Sequence, residues 1–187
     1  MKYAISGVFL ALVLAGGTAV ANAAGFSVSS SSIPERGLLP VKYGFAGAGT
    51  DGTPCGGQNV SPALAWSNAP AATQSFAVTM FDVDGARGLG VSHWVAYGIA
   101  PGTTSLAEGA GSVASSMMVG GTGTQGLTTY RGSCPPPGES PHHYVLSVYA
   151  LDLAPSALAA GMTRDALFAA IKGHVLAEAS TVALYAR

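Results

Sequence analysis

Apolar runs rich in β-branched and aromatic residues, separated by Gly- and Pro-rich stretches, make up most of this chain. Residues 75–84, SFAVTMFDVD, are largely apolar on both alternating faces. Phe76, Val78 and Met80 share one face with Asp82 and Asp84, and Ala77, Thr79, Phe81 and Val83 share the other. Such a run predicts a central strand covered on both sides. Residues 92–99, SHWVAYGI, predict the next strand, with His93, Val95, Tyr97 and Ile99 on one face. Residues 143–151 predict a third. If His142 is already extended, it shares a face with Tyr144, Leu146 and Val148, while His143 points the other way. Shorter strands are expected at 25–32, on an edge, and at 37–43 and 63–66.

The connections are equally marked. Residues 44–62 and 109–129 read as Gly-rich loops. Pro135, Pro136 and Pro137 fix φ and lack amide donors, so the segment before the third strand is a stiff loop that cannot join a ladder. One clear helix is expected near 163–171, with Thr163 as its cap, Asp165 in its first turn and Gly173 ending it. Residues 177–185 fit a second helix, a final strand, or one followed by the other, with 181–185 leaning to strand. The whole reads as mainly β.

Composition adds an address. Lys2 precedes an almost wholly apolar run at 4–14, and Ala21-Asn22-Ala23 fits the small-x-small cleavage rule. Residues 1–23 are therefore expected to be a secretory signal peptide and 24–187 the mature domain, periplasmic or secreted. The apolar run is too short to span a bilayer. Charged residues make up 9% of the chain and the net charge is −1, with no basic patch, which argues against nucleic-acid binding. The two cysteines, Cys55 and Cys134, sit in loops. An exported chain with an even cysteine count favours a bridge between them over two buried thiols.

Polar side chains fall where core strands should stay apolar: Asp82 and Asp84, His93, and His142 with Tyr144. A buried carboxylate needs a partner, and an imidazole is a natural one; the pairing fixes the tautomer and raises the histidine pKa. A protonated histidine, a tyrosine hydroxyl and loop amides would together receive a small anion such as phosphate. The same residues also admit plainer readings. Asp82 and Asp84 could cap the turn at 85–90, His93 could be a satisfied core histidine, and Tyr144 could be core. A metal set from Asp82, Asp84, His93 and His142 lacks a tight ligand pair. No G-x-S-x-G marks a serine nucleophile, and Cys134 with His142 as base competes with the bridge.

Five segments, in order, resemble the phosphatidylethanolamine-binding protein family in its bacterial Raf-kinase-inhibitor-like branch. CGGQNVSPALAW (55–66) is similar to its C-x-G-x-N-x-S-P-x-L-x-W segment, and SFAVTMFDVDGA (75–86) to S-x-A-x-x-x-x-D-P-D-A-P. SHWVAYGIAPGTTSL (92–106), YRGSCPPPGESPHHYVLSVYALD (130–152) and IKGHVLAEASTVALYAR (171–187) are similar to its H-W, its G-P-C-P-P-x-G-x-x-H-R-Y and its closing segments. The resemblance implies a large antiparallel sheet packed on a smaller one, with one or two C-terminal helices. It implies a pocket for an anionic group such as a phospholipid headgroup, formed by Asp82, Asp84, His93, His142 and Tyr144, with Gly132 and Pro135 in the bordering loop. It implies a binding role, or a protein partner that is inhibited or modulated, and neither an enzyme nor a cofactor. Among the departures from the pattern, four stand out. Val83 and Ala86 replace the two prolines of D-P-D-A-P, which predicts a less rigid turn; Ser133 replaces the Pro of G-P-C, and His143 the Arg of H-R-Y.

Overall fold

A computed structural model describes residues 25–33 and 37–187. The leader assigned to residues 1–23 lies outside the described residues. Eight strands are present: β1 (Ser27–Ser29), β2 (Leu64–Ser67), β3 (Ser75–Asp82), β4 (Val91–Ile99), β5 (Ser105–Leu106), β6 (Val119–Gly120), β7 (His142–Leu151) and β8 (Val175–Tyr185). They form two antiparallel sheets, a small one ordered β1-β2-β5 and a large one ordered β6-β4-β3-β7-β8. The fold is the mainly β architecture expected from the pattern.

β3 is the middle strand of the large sheet and is apolar on both faces because both are covered. Phe76, Val78 and Met80 join Leu64, Trp66, Trp94, Leu146 and Val148 in the core facing the small sheet. Ala77 joins Val95, Tyr97, Leu151, Leu167 and Ile171 in a second core. That second core lies under the one full helix, α1 (Arg164–Ala170). Thr163 caps α1 by accepting the Ala166 amide at 3.3 Å, and Asp165 occupies its first turn, where the helix dipole favours a carboxylate.

Two expectations are corrected, and the choice left open at 177–185 is settled as strand. Residues 37–43 do not form a strand: the chain pairs with Leu184 only around Leu39, then enters a 3-10 turn at Val41–Tyr43. Pro40 has no amide to donate, so the ladder stops there. Residues 177–185 form no helix; β8 pairs with β7 along its whole length, and that ladder overrides the helix preference of its alanines. Finally, the strict alternation expected for β4 fails. Met80 pairs with Trp94 but Phe81 with Ser92, so His93 is an extra residue in a bulge. A second irregularity lies between Phe76 and Val78. Val95 and Tyr97 therefore face the helix, whereas Ile99 faces the small sheet and His93 lies against Tyr144.

Cys55 and Cys134 are bridged, with Cα atoms 5.5 Å apart and a sequence separation of 79. The bridge ties the Gly-rich loop at 44–62 to the proline loop before β7. A second tie is closer still. Gly132 packs against Gly44 so tightly that a Cβ on Gly132 would come within 2.2 Å of the Gly44 carbonyl carbon. Only glycine fits that crossing.

Closing a loop of this length is expected to stabilise the fold by about 4 kcal/mol. Chemical denaturation with and without reductant checks this; equal midpoints, or two alkylatable thiols in the unreduced protein, would contradict it.

Candidate functional site

The site forms where the C-terminal end of β3, the N-terminal end of β7 and the His93 bulge of β4 meet. Asp82 pairs with Tyr144 on one side and Val91 on the other, so it sits between the neighbouring strands. Its carboxylate is 3% exposed and uses both oxygens. Oδ1 accepts the amides of Asp84 (3.0 Å) and Gly85 (2.9 Å). That double capture turns the chain and ends β3 at Asp82, two residues earlier than the pattern suggests. Oδ2 accepts Nδ1–H of His142 at 2.8 Å.

His142 meets a second carboxylate. Its Nε2 lies 3.1 Å from Glu139 Oε2. Both ring nitrogens therefore face acceptors, and the ring that satisfies both is the imidazolium. Burial opposes that charge, but the bonds to Asp82 and Glu139 outweigh it and hold the His142 pKa above its ordinary value. His93 is the opposite case. Burial dominates and pushes its pKa down, so the ring is neutral. Its Nδ1–H donates to the Arg131 carbonyl at 2.8 Å, which leaves Nε2 with the lone pair.

Tyr144 is fully buried between these two rings, edge-on to His93 at 5.3 Å and stacked toward His142 at 6.5 Å between centroids. Among the described residues its hydroxyl has no hydrogen-bond partner, and neither does that of buried Ser133. Burial raises the Tyr144 pKa far above the ordinary range, so the phenol stays protonated and available as a donor. Asp84, by contrast, lies beyond the strand on the exposed side. Its Oδ2 accepts from the His143 amide (2.7 Å) and Nδ1 (2.9 Å), and these bonds lower its pKa.

A cavity of about 470 Å³ opens over this cluster. Of the candidate residues, Asp82, Asp84, His93, His142 and Pro135 line it; Tyr144 and Gly132 do not. Gly132 instead donates its amide to Asn59 Oδ1 at 2.7 Å, so that amide is already committed. Neither aspartate bonds to His93; each pairs with one histidine of the adjacent pair 142–143.

Three charged lining residues escaped the sequence reading: Arg87, Arg131 and Glu139. The signal for Glu139 was a carboxylate inside a proline loop, three residues before His142, in a chain poor in charge. Arg131 lay between two residues already singled out for other reasons. Its guanidinium stacks on Phe45 at 4.0 Å. Neither Arg87 nor Arg131 has a carboxylate oxygen within 4.0 Å among the described residues.

Comparison with known proteins decides the lineage. The profile of a family described as phosphatidylethanolamine-binding protein matches residues 29–186. The chain belongs to that family. It is 39% identical over 143 residues to the UPF0098 protein YbcL of Escherichia coli K12, covering 74% of this chain and 75% of YbcL. It is 36% identical over 159 residues to YbhB of the same organism, covering 83% and 97%. The chain also matches "Putative lipoprotein LppC" of Mycobacterium tuberculosis at 40% over 128 residues, which cover 68% of this chain and 56% of LppC. Among solved structures, that of Escherichia coli YbcL, described as a new member of the mammalian PEBP family, superposes with a TM-score of 0.78 at 32% identity. The superposition covers 88% of this chain and 99% of that one. CT736 of Chlamydia trachomatis gives 0.73 at 28%, covering 87% and 98%.

Set in the family, the departures from its pattern acquire physical reasons. Where the first proline would stand, Val83 donates its amide to the His143 carbonyl at 3.1 Å, a bond proline cannot make. Where the second would stand, Ala86 has φ 51°, and Arg87 follows at 60°; proline cannot adopt that backbone. The turn at Gly85–Gly88 is thus pinned by hydrogen bonds from both sides, where prolines would have pinned it by ring closure.

The two histidines are expected to titrate in opposite directions. A histidine pKa raised in the fold contributes stability that is complete below about pH 6.5 and is lost as pH rises through the folded value. That describes His142. For His93, with its pKa lowered, the contribution is present above about pH 6.5 and is lost as pH falls from there toward the folded value. NMR titration of the ring protons tests both. Asp82→Asn, which keeps the Oδ1 acceptor of the turn, should lower the His142 pKa; a His142 that titrates at or below the ordinary value in the wild type would contradict the imidazolium.

Proposed function

We propose that this is an exported, non-catalytic protein that binds a small anion of the phosphate or phospholipid-headgroup class in the cavity above Asp82, His93 and His142. The observation that carries the reading is the set of donors around that cavity. An imidazolium is held by Asp82, and the guanidinium groups of Arg87 and Arg131 have no carboxylate partner among the described residues. An anion would provide the missing partner for both arginines, through charge-assisted bonds stronger than neutral ones. The name of the family, and its description in terms of phosphatidylethanolamine, fit that chemistry. Cys134, the candidate thiol nucleophile, is bonded to Cys55, and both nitrogens of His142 donate, which leaves that ring no lone pair to accept a hydroxyl proton. Both points favour binding over catalysis. Export is supported by the leader pattern at residues 1–23 and by a relative whose name includes lipoprotein.

Phosphate and phosphoethanolamine titrations followed by NMR test the reading. Ring signals of His93 and His142 should shift with added ligand. Arg131→Ala should weaken binding by roughly 10- to 100-fold, the usual cost of a lost hydrogen bond to a charged group. No shift at millimolar ligand would overturn the anion site and leave recognition of a protein partner as the function to pursue.

A further inference from the structure

The contact between Glu139 and His142 is not needed to place the ring. His142 is already fixed on β7 and held through Nδ1 by Asp82. Glu139 lies on an exposed loop, its side chain 55% exposed, and its carboxylate reaches back to the one remaining N–H of the imidazolium at 3.1 Å. Two ties hold the stem of that loop: the Cys55–Cys134 bridge, and Arg187, whose Nε donates to the Pro135 carbonyl at 2.6 Å. With the stem fixed, the carboxylate can leave His142 by side-chain rotation alone. It also lines the same cavity as Arg131 and Arg87.

We propose that Glu139 is a displaceable internal competitor: its carboxylate occupies the His142 Nε2–H that an incoming anion must take. This rests on the anion-binding reading of the cavity. A carboxylate presents two oxygens to a donor much as a phosphate does, and a short tether gives it a high effective concentration. Glu139 keeps its own side chain 55% exposed, so water competes for its carboxylate and a ligand with more charge can displace it. The apparent affinity is then the intrinsic one reduced by the fraction of molecules in which Nε2–H is free. Glu139 therefore sets a threshold that excludes weakly held anions, while Asp82 continues to hold His142 through Nδ1–H.

The experiment is calorimetric titration of the full chain with inorganic phosphate, for the wild type, Glu139→Ala and Glu139→Asp. The exposure of the side chain means that neither variant should disturb folding, and circular dichroism verifies this. Competition predicts that both variants bind phosphate more tightly, by about two- to sixfold for a pair with one solvated partner. Glu139→Asp is decisive because it keeps the charge but is one methylene too short to reach His142. If only Glu139→Ala tightens binding, the effect is one of general charge and the competitor is overturned. Unchanged or weaker binding in both variants also overturns it, while wild-type binding would leave the anion site standing. If neither the wild type nor either variant binds phosphate, the anion site itself fails, and the competitor with it.

Discussion

The buried carboxylate of Asp82 is the interaction on which the candidate site depends. One oxygen takes the two amides that turn the chain out of the central strand, and the other holds an imidazolium on the neighbouring strand. Burying a carboxylate without such partners would be severely unfavourable. With them, one residue both ends a strand and charges a histidine. The turn and the site are thus a single device. The aspartate caps the turn with one oxygen and partners a histidine with the other.

Around that centre the walls come from segments far apart in sequence. The segment that carries Arg131 crosses the early glycine loop at Gly44 and Gly132, where only hydrogen atoms fit between the backbones. Two residues later the disulfide joins the same two segments again. Arg187 reaches across to the carbonyls of Pro54 and Pro135 and so ties the end of the chain to both. Stiffness that the prolines give locally is thereby referred to the sheet.

Much of this was legible in the sequence, and the limits have physical causes. The three long core strands showed in their apolar runs, and the helix showed in its cap and first-turn acid. The edges were harder. β8 is rich in alanine, and only its long partner β7 makes it a strand. The segment at 37–43 carries strand-like residues, but Pro40 interrupts the ladder. Strand parity separated buried His142 from exposed His143 because that end of β7 is regular. Parity failed for His93 because a bulge is an extra residue, and a period of two carries no mark of where one is inserted. Glu139, Arg87 and Arg131 were missed because they sit on turns and loops, whose direction no period encodes.

The bulge at His93 also sets a limit on improving this protein. Deleting one residue there would restore the ladder between β3 and β4 at that end and remove a local distortion. It would also turn the imidazole away from Tyr144. A search for greater thermal robustness would favour the regular strand, and retention of the cavity requires the irregular one, so the two aims select opposite backbones at this single position.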